Sequence, residues 1–198
     1  MPAAFLRTAV LTCLMFVGSA LANPFEQVPP RYGALVNHVL EHVGSDLRFR
    51  AEPCGPGAHV ECRFSSERVS VRVEGRNSPP LTRKILIEAD LFRDEPRADP
   101  HSTVADSVLA LGATMVIFDP DLSGARRVQL LSDLTETALE EEKSEGEGID
   151  ARYSLTFDEA ASGKLMIAVT PATEVAIDEG GENWRSSAFD RPGDRSDQ

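Results

Sequence analysis

Val60-Glu61-Cys62-Arg63-Phe64, followed after Ser65-Ser66-Glu67-Arg68 by Val69-Ser70-Val71-Arg72-Val73, is the stretch that decides the fold. Apolar and polar residues alternate with a period of two, so each segment presents one apolar and one polar face, the signature of a half-buried strand. Four polar residues between two such runs allow only a hairpin-like connection, hence an antiparallel pair. Upstream, Leu47 and Phe49 alternate with Arg48 and Arg50 and predict another strand. Downstream, Asn77-Ser78-Pro79-Pro80 breaks the pattern before Ile85, Ile87, Ala89 and Leu91 mark a fourth. Tyr153, Leu155 and Phe157, the turn Glu159-Ala160-Ala161-Ser162-Gly163, and Leu165, Ile167 and Val169 predict a closing hairpin.

Three helices fit around these strands. After Pro29 and Pro30, the apolar residues Leu35, Val36, Val39, Leu40 and Val43 recur at helical spacing, and Gly44 supplies a C-terminal stop. Beyond the polar loop from Arg93 to Pro100, Thr103 with Asp106 reads as the start of a second helix, running to Asp119-Pro120-Asp121. A third, from Ser123 to Glu142, carries Val128, Leu131, Leu134 and Ala138 on one face. Strands that follow one another without crossover helices predict an antiparallel sheet of about six strands with the three helices on one face, a single α+β domain. The element order loosely resembles small α+β modules that bind polypeptide segments, such as secretion chaperones; no family is recognised in the chain.

Both ends of the 198-residue chain read differently. Residues 1–22 have the form of a cleavable secretory signal: Arg7, an apolar run from Ala9 to Val17 that is shorter than the about 20 residues a bilayer requires, and Ala20 and Ala22 at an A-x-A cleavage site. Cys13, inside that run, lacks the small residues before it that a lipid anchor requires. The expected product is an exported protein, periplasmic or extracellular and free of the membrane, starting at Asn23. Its domain covers 23–172, and 173–198, rich in Asp, Glu, Ser, Gly and Arg around a lone Trp184, reads as a disordered acidic tail.

Losing Arg7 with the leader takes the formal charge from -12 to -13. Such a polyanion lacks the Lys/Arg surface that phosphate contacts need, which excludes nucleic acid as the expected partner, and a basic protein would be drawn to it. Cys54 and Cys62 survive cleavage, and an even count in an exported chain predicts a disulfide across the turn-forming 55–61 segment. Their spacing fits neither a C-x-x-C redox pair nor a zinc knuckle.

His38-Val39-Leu40-Glu41-His42 matches the inverted zinc-peptidase motif H-x-x-E-H. Two histidines one turn apart can reach one Zn²⁺ and Glu41 could act as base on its water, with His38 and His42 as ligands. No third, acidic ligand stands out among the 32 acids. A solvated helix face explains the same residues. Asp119-Pro120-Asp121-Leu122-Ser123-Gly124 mimics the opening of a calcium loop, but Leu130 occupies the position that needs a bidentate Glu and Arg126 lies inside the loop, so a turn with Asp121 or Ser123 capping the next helix is expected. Glu136, Glu140, Glu141, Glu142, Glu145 and Glu147 form an acid run read as helix end and linker, with Glu140, Glu141 and Glu142 the candidate contacts for a basic partner. His59 and His101 stand alone in loop-like contexts, and serine-hydrolase, P-loop and dinucleotide signatures are missing. The expectation is therefore an exported, non-catalytic protein that binds another polypeptide and has no cofactor. The rivals are a small zinc-dependent hydrolase built on residues 38–42 and an envelope scaffold without a discrete site.

Overall fold

The computed structural model describes residues 23–91, 100–158 and 163–173. The leader, the 93–100 loop apart from Pro100, most of the 159–163 turn and the tail from 174 onward lie outside them.

The rows of alternating residues meet in register. Phe64 faces Val71, Val71 faces Ile87, Ile87 faces Ile167, Ile167 faces Leu155 and Leu155 faces Ser144, so one buried row crosses six neighbouring strands. Among the described residues the seven antiparallel strands are β1 (Arg50–Ala51), β2 (His59–Ser65), β3 (Val69–Asn77), β4 (Pro80–Asp90), β5 (Lys143–Glu147), β6 (Ala151–Asp158) and β7 (Lys164–Pro171), in the spatial order β1-β2-β3-β4-β7-β6-β5. Two meanders, one from each half of the chain, join along β4 and β7.

Three helices cover the buried face. A 3-10 turn at Pro29–Arg31 leads into α1 (Tyr32–His42), which lies so close to β2 that a Cβ on Gly33 would sit 2.6 Å from the Phe64 ring. It ends as expected, with Gly44 at φ +69° and the amides of Gly44 and Ser45 bonded back to Glu41 and Leu40. The second helix, α2 (Pro100–Phe118), touches α1 through the Tyr32 hydroxyl and Thr114 Oγ1, 2.9 Å apart. The third, α3 (Gly124–Glu141), packs over β5 and β6. Its N-cap is Ser123, whose hydroxyl accepts from the Arg126 amide. The N-terminal segment docks too: Phe25 is buried 5.0 Å from Phe118, and its carbonyl accepts from Thr82 N at 2.7 Å.

Three expectations need correction. Leu47 to Phe49 is not a strand, because the Asn37 side chain of α1 takes both backbone groups of Phe49, donating from Nδ2 to its carbonyl and accepting its amide at Oδ1, each at 2.8 Å. Asn77-Ser78-Pro79-Pro80, where the alternating pattern breaks, is the tight β3–β4 turn, with Asn77 paired to Pro80 and a bulge at Glu74/Gly75. Thr103 does not start α2, which begins at Pro100; Thr103 is buried inside the helix and Asp106 pairs with Arg68 at 2.9 Å. The seventh strand, β5, replaces the linker read after α3. By length and mean hydropathy of 1.4, α2 could cross a membrane; here its buried residues face the core of the domain.

Candidate functional site: the free edge at β5

The last strand in the sheet is held by one buried carboxylate. Asp119, fully buried just after α2, accepts the amides of Ile149 (3.1 Å) and Asp150 (3.1 Å) and the Tyr153 hydroxyl (3.0 Å). These donors lie in the β5–β6 turn and in β6, so the carboxylate pins the hairpin to the end of α2. Gly148 is required there, because any Cβ would collide with Asp119 Oδ2. Arg127 of α3, 2 % exposed, closes the same junction by donating from Nη2 to the carbonyls of Asp119 (2.8 Å) and Pro120 (2.9 Å).

Burial raises the Asp119 pKa above the ordinary carboxylate value, against the pull of its amide and hydroxyl donors and of Arg127. Desolvation likewise lowers Arg127 and lifts Tyr153 far above the usual phenol range. Asp150 is raised by burial and by the charges of Asp119 and Asp121.

What the latch holds is an edge whose outward backbone groups meet no further strand among the described residues. The Gly148 amide bonds Ala151 O and the Phe157 amide bonds Glu142 O, which fixes the alternation of the β5–β6 ladder. The bonded pairs are 142 with 157, 144 with 155, 146 with 153 and 148 with 151. The amides and carbonyls of Lys143, Glu145 and Glu147 therefore point away from β6, and none of the described residues forms a strand against them. Ser144 and Gly146 turn inward, where Ser144 Oγ donates to Leu134 O at 2.6 Å and a Cβ on Gly146 would lie 2.5 Å from Leu130.

On the face that the helices leave uncovered, Arg63, Arg72, Leu86, Ala168, Ser154 and Glu145 are successive cross-strand neighbours. Small side chains at Ser154, Ala168 and Thr170, walled by Glu145, Glu147 and Arg152, leave a groove of about 610 Å³ over β5 to β7. Lys143 pairs with Glu145 at 2.7 Å, which holds the Glu145 pKa low, and Arg152 pairs with Glu147 at 3.1 Å.

The residues nominated by sequence fall in three places. Cys54 and Cys62 are disulfide-bonded, with Cα atoms 4.3 Å apart, and tie the loop after β1 to β2. Glu140, Glu141 and Glu142 are exposed at the end of α3, beside the start of β5, and Glu142 adopts a left-handed φ of 62° that turns the chain into the strand. His38, Glu41 and His42 lie on the exposed side of α1, at the other half of the sheet; the two imidazoles stack edge-on at 4.2 Å and His42 Nδ1 contacts the His38 carbonyl. Among the described residues, no third ligand joins them into a metal-binding group. Asp119 is committed to backbone amides and Leu130 is buried, so the calcium-loop likeness dissolves into the latch.

Sequence reasoning missed the latch because its partners stand 30 residues apart or more, and Asp-Pro-Asp looks like any polar turn. It missed β5 because Lys143-Ser144-Glu145-Gly146-Glu147 has no apolar residue to alternate. A second cleft, about 650 Å³, lies at the β1 end among Arg48, Arg50, Arg68, Asp46, Glu67 and Asp106. Its arginines and carboxylates are equal in number, with Arg68 already paired to Asp106, so it shows no preference for one charge. No family model, no characterised protein and no solved structure matches this chain.

Proposed function

We propose that this chain is an exported, non-catalytic protein that binds another polypeptide by adding it as a strand to β5. The observation that carries the reading is the outward set of backbone groups at Lys143, Glu145 and Glu147. Unused amides and carbonyls along an edge are a template for a further strand, and main-chain hydrogen bonds supply affinity in such complexes. The Cys54–Cys62 disulfide accords with an oxidising compartment outside the cytoplasm.

The test is Glu145→Pro. Because the Glu145 amide faces outward, proline removes no ladder bond, while its ring and missing donor block an added strand. The wild-type protein immobilised on a resin should retain a polypeptide from an envelope extract that Glu145→Pro does not, with Arg63→Ala on the opposite half as a neutral control. Equal retention by all three would favour recognition elsewhere, and no retention by any would favour the scaffold. The hydrolase reading has its own check: stoichiometric zinc in purified protein, lost with His38→Ala, would overturn the non-catalytic one.

A further inference from the structure

Resting on the strand-addition reading, we propose that the segment β5 accepts is an extended one with long basic side chains at two alternate positions, running antiparallel to β5. The register dictates the pattern. A residue hydrogen-bonded opposite Glu145 has its side chain on the same, uncovered face as Glu145, and the residues opposite Glu147 and Lys143 do likewise. In antiparallel order the incoming chain meets Glu147, then Glu145, then Lys143, so complementarity reads basic, spacer, basic, spacer, acidic. The spacers point toward α3 beside Ser144 and Gly146, where Leu130 and Leu134 already crowd the strand and favour small side chains.

Two independent features select long basic residues. The groove of about 610 Å³ behind Glu145 and Glu147, floored by the small side chains of Ser154, Ala168 and Thr170, leaves that face low beside the two glutamates, so a long side chain reaching across β5 from the added strand meets their carboxylates with its charged head. The flanking chain is acid-rich as well: from Glu136 to Glu147 six glutamates stand against the single Lys143. The existing pairs of Glu145 with Lys143 and of Glu147 with Arg152 do not oppose the exchange, since all four side chains are more than half exposed and such pairs are weak.

A second copy of the chain is the poorer occupant. Antiparallel pairing of β5 with itself about Glu145 matches Lys143 with Glu147 twice but sets Glu145 against Glu145, and it joins two molecules of formal charge -12 or lower.

The experiment is a titration of isotope-labelled protein, followed at its backbone amides, with the peptide Thr-Lys-Thr-Lys-Thr-Glu-Thr at up to about 1 mM, the weak end of measurable affinity. The comparison peptides are the analogue with Glu in place of both Lys and a scramble that places the lysines side by side. The amides of Lys143, Glu145 and Glu147 should shift with the first peptide, at least about tenfold more weakly with the other two, and the double variant Glu145→Lys/Glu147→Lys should reverse the preference toward the Glu analogue. If all three peptides bind alike, the proposed side-chain pattern is wrong while strand addition stands. If the first peptide binds Glu145→Pro as well as wild type, the edge itself is not the site and both readings fall. If no peptide shifts the β5 amides, the segment chemistry proposed is overturned, and the extract capture decides separately on the edge.

Discussion

The two edges of this sheet are finished in opposite ways. At one end β1 has only two residues, and the chain beside it is tied down covalently by Cys54–Cys62 and by the Asn37 side chain on Phe49. At the other end β5 has five residues, offers three outward backbone pairs, and is held by a buried carboxylate rather than a covalent link. Short, tied-off edges are a common defence against unwanted strand pairing, and the strand addition proposed above uses the edge that lacks this defence among the described residues. The stabilising groups at β5 face inward, toward α2 and α3, which keeps the outward groups available.

The largest effect expected from breaking this contrast is at the latch. Asp119→Ala would strip the acceptors from two amides and a hydroxyl and leave Arg127 buried without its countercharge, at a cost of about 3 kcal/mol or more. In a domain of this size that lowers the melting temperature by roughly 6 to 12 °C. Asp119→Asn, which keeps an acceptor for the amides, should lose less. Hydrogen exchange should speed first at Ile149 and Asp150, and a change spread evenly over β1 to β4 would count against a local latch.

Next in size is the covalent edge. Replacing Cys54 and Cys62 by Ser together should cost about 2 to 3 kcal/mol in denaturant unfolding, with the loosening confined to β1 and the start of β2. A loss of β5 protection in that variant would mean that the two edges are not independent.

The pH dependence sharpens the same comparison. The pKa of Asp119 is higher in the folded than in the unfolded chain, so the folded state holds its proton more tightly. The contribution of such a group to stability is greatest at low pH and falls as pH rises from about 4 through the folded-state value, where it levels. The difference in stability between wild type and Asp119→Asn should follow that downward slope, with Asp150 adding in the same sense. A difference that grows with pH would show that the donors around Asp119 outweigh its burial.

The smallest effects are expected at the open edge itself. Replacing Glu140, Glu141 and Glu142 with Lys should change stability by within about 0.5 kcal/mol each, since all three are exposed, yet slow association with a basic partner severalfold. An unchanged rate and salt dependence would reduce the acid run to a solvating one.

How far the sequence carried the fold follows from where burial is half-sided. β2, β3, β4, β6 and β7 announce themselves because one face meets the helices and the other does not, and α1 and α3 because each buries one stripe. β5 gives no such signal: α3 comes so near that only Ser144 and Gly146 fit on the inner side, and the outer side is charged. The same closeness hides the proposed site, which is made of backbone groups and takes its identity from register, a property that no short stretch encodes. The acid residues beside it were legible as exposed charge, whereas Asp119, Arg127 and Tyr153 become a unit only when the chain ends of α2, α3 and β6 meet.

Amide hydrogen exchange of β5 with and without the peptide Thr-Lys-Thr-Lys-Thr-Glu-Thr tests the open edge most directly. In the free protein the amides of Lys143, Glu145 and Glu147 should exchange rapidly, while those of Ser144 and Gly146, bonded to β6, should be protected. On adding peptide the three outward amides should slow by the fraction of protein bound, with the inward two little changed. Outward amides already protected in the free protein, or still fast with peptide bound, would contradict a strand-accepting edge at β5.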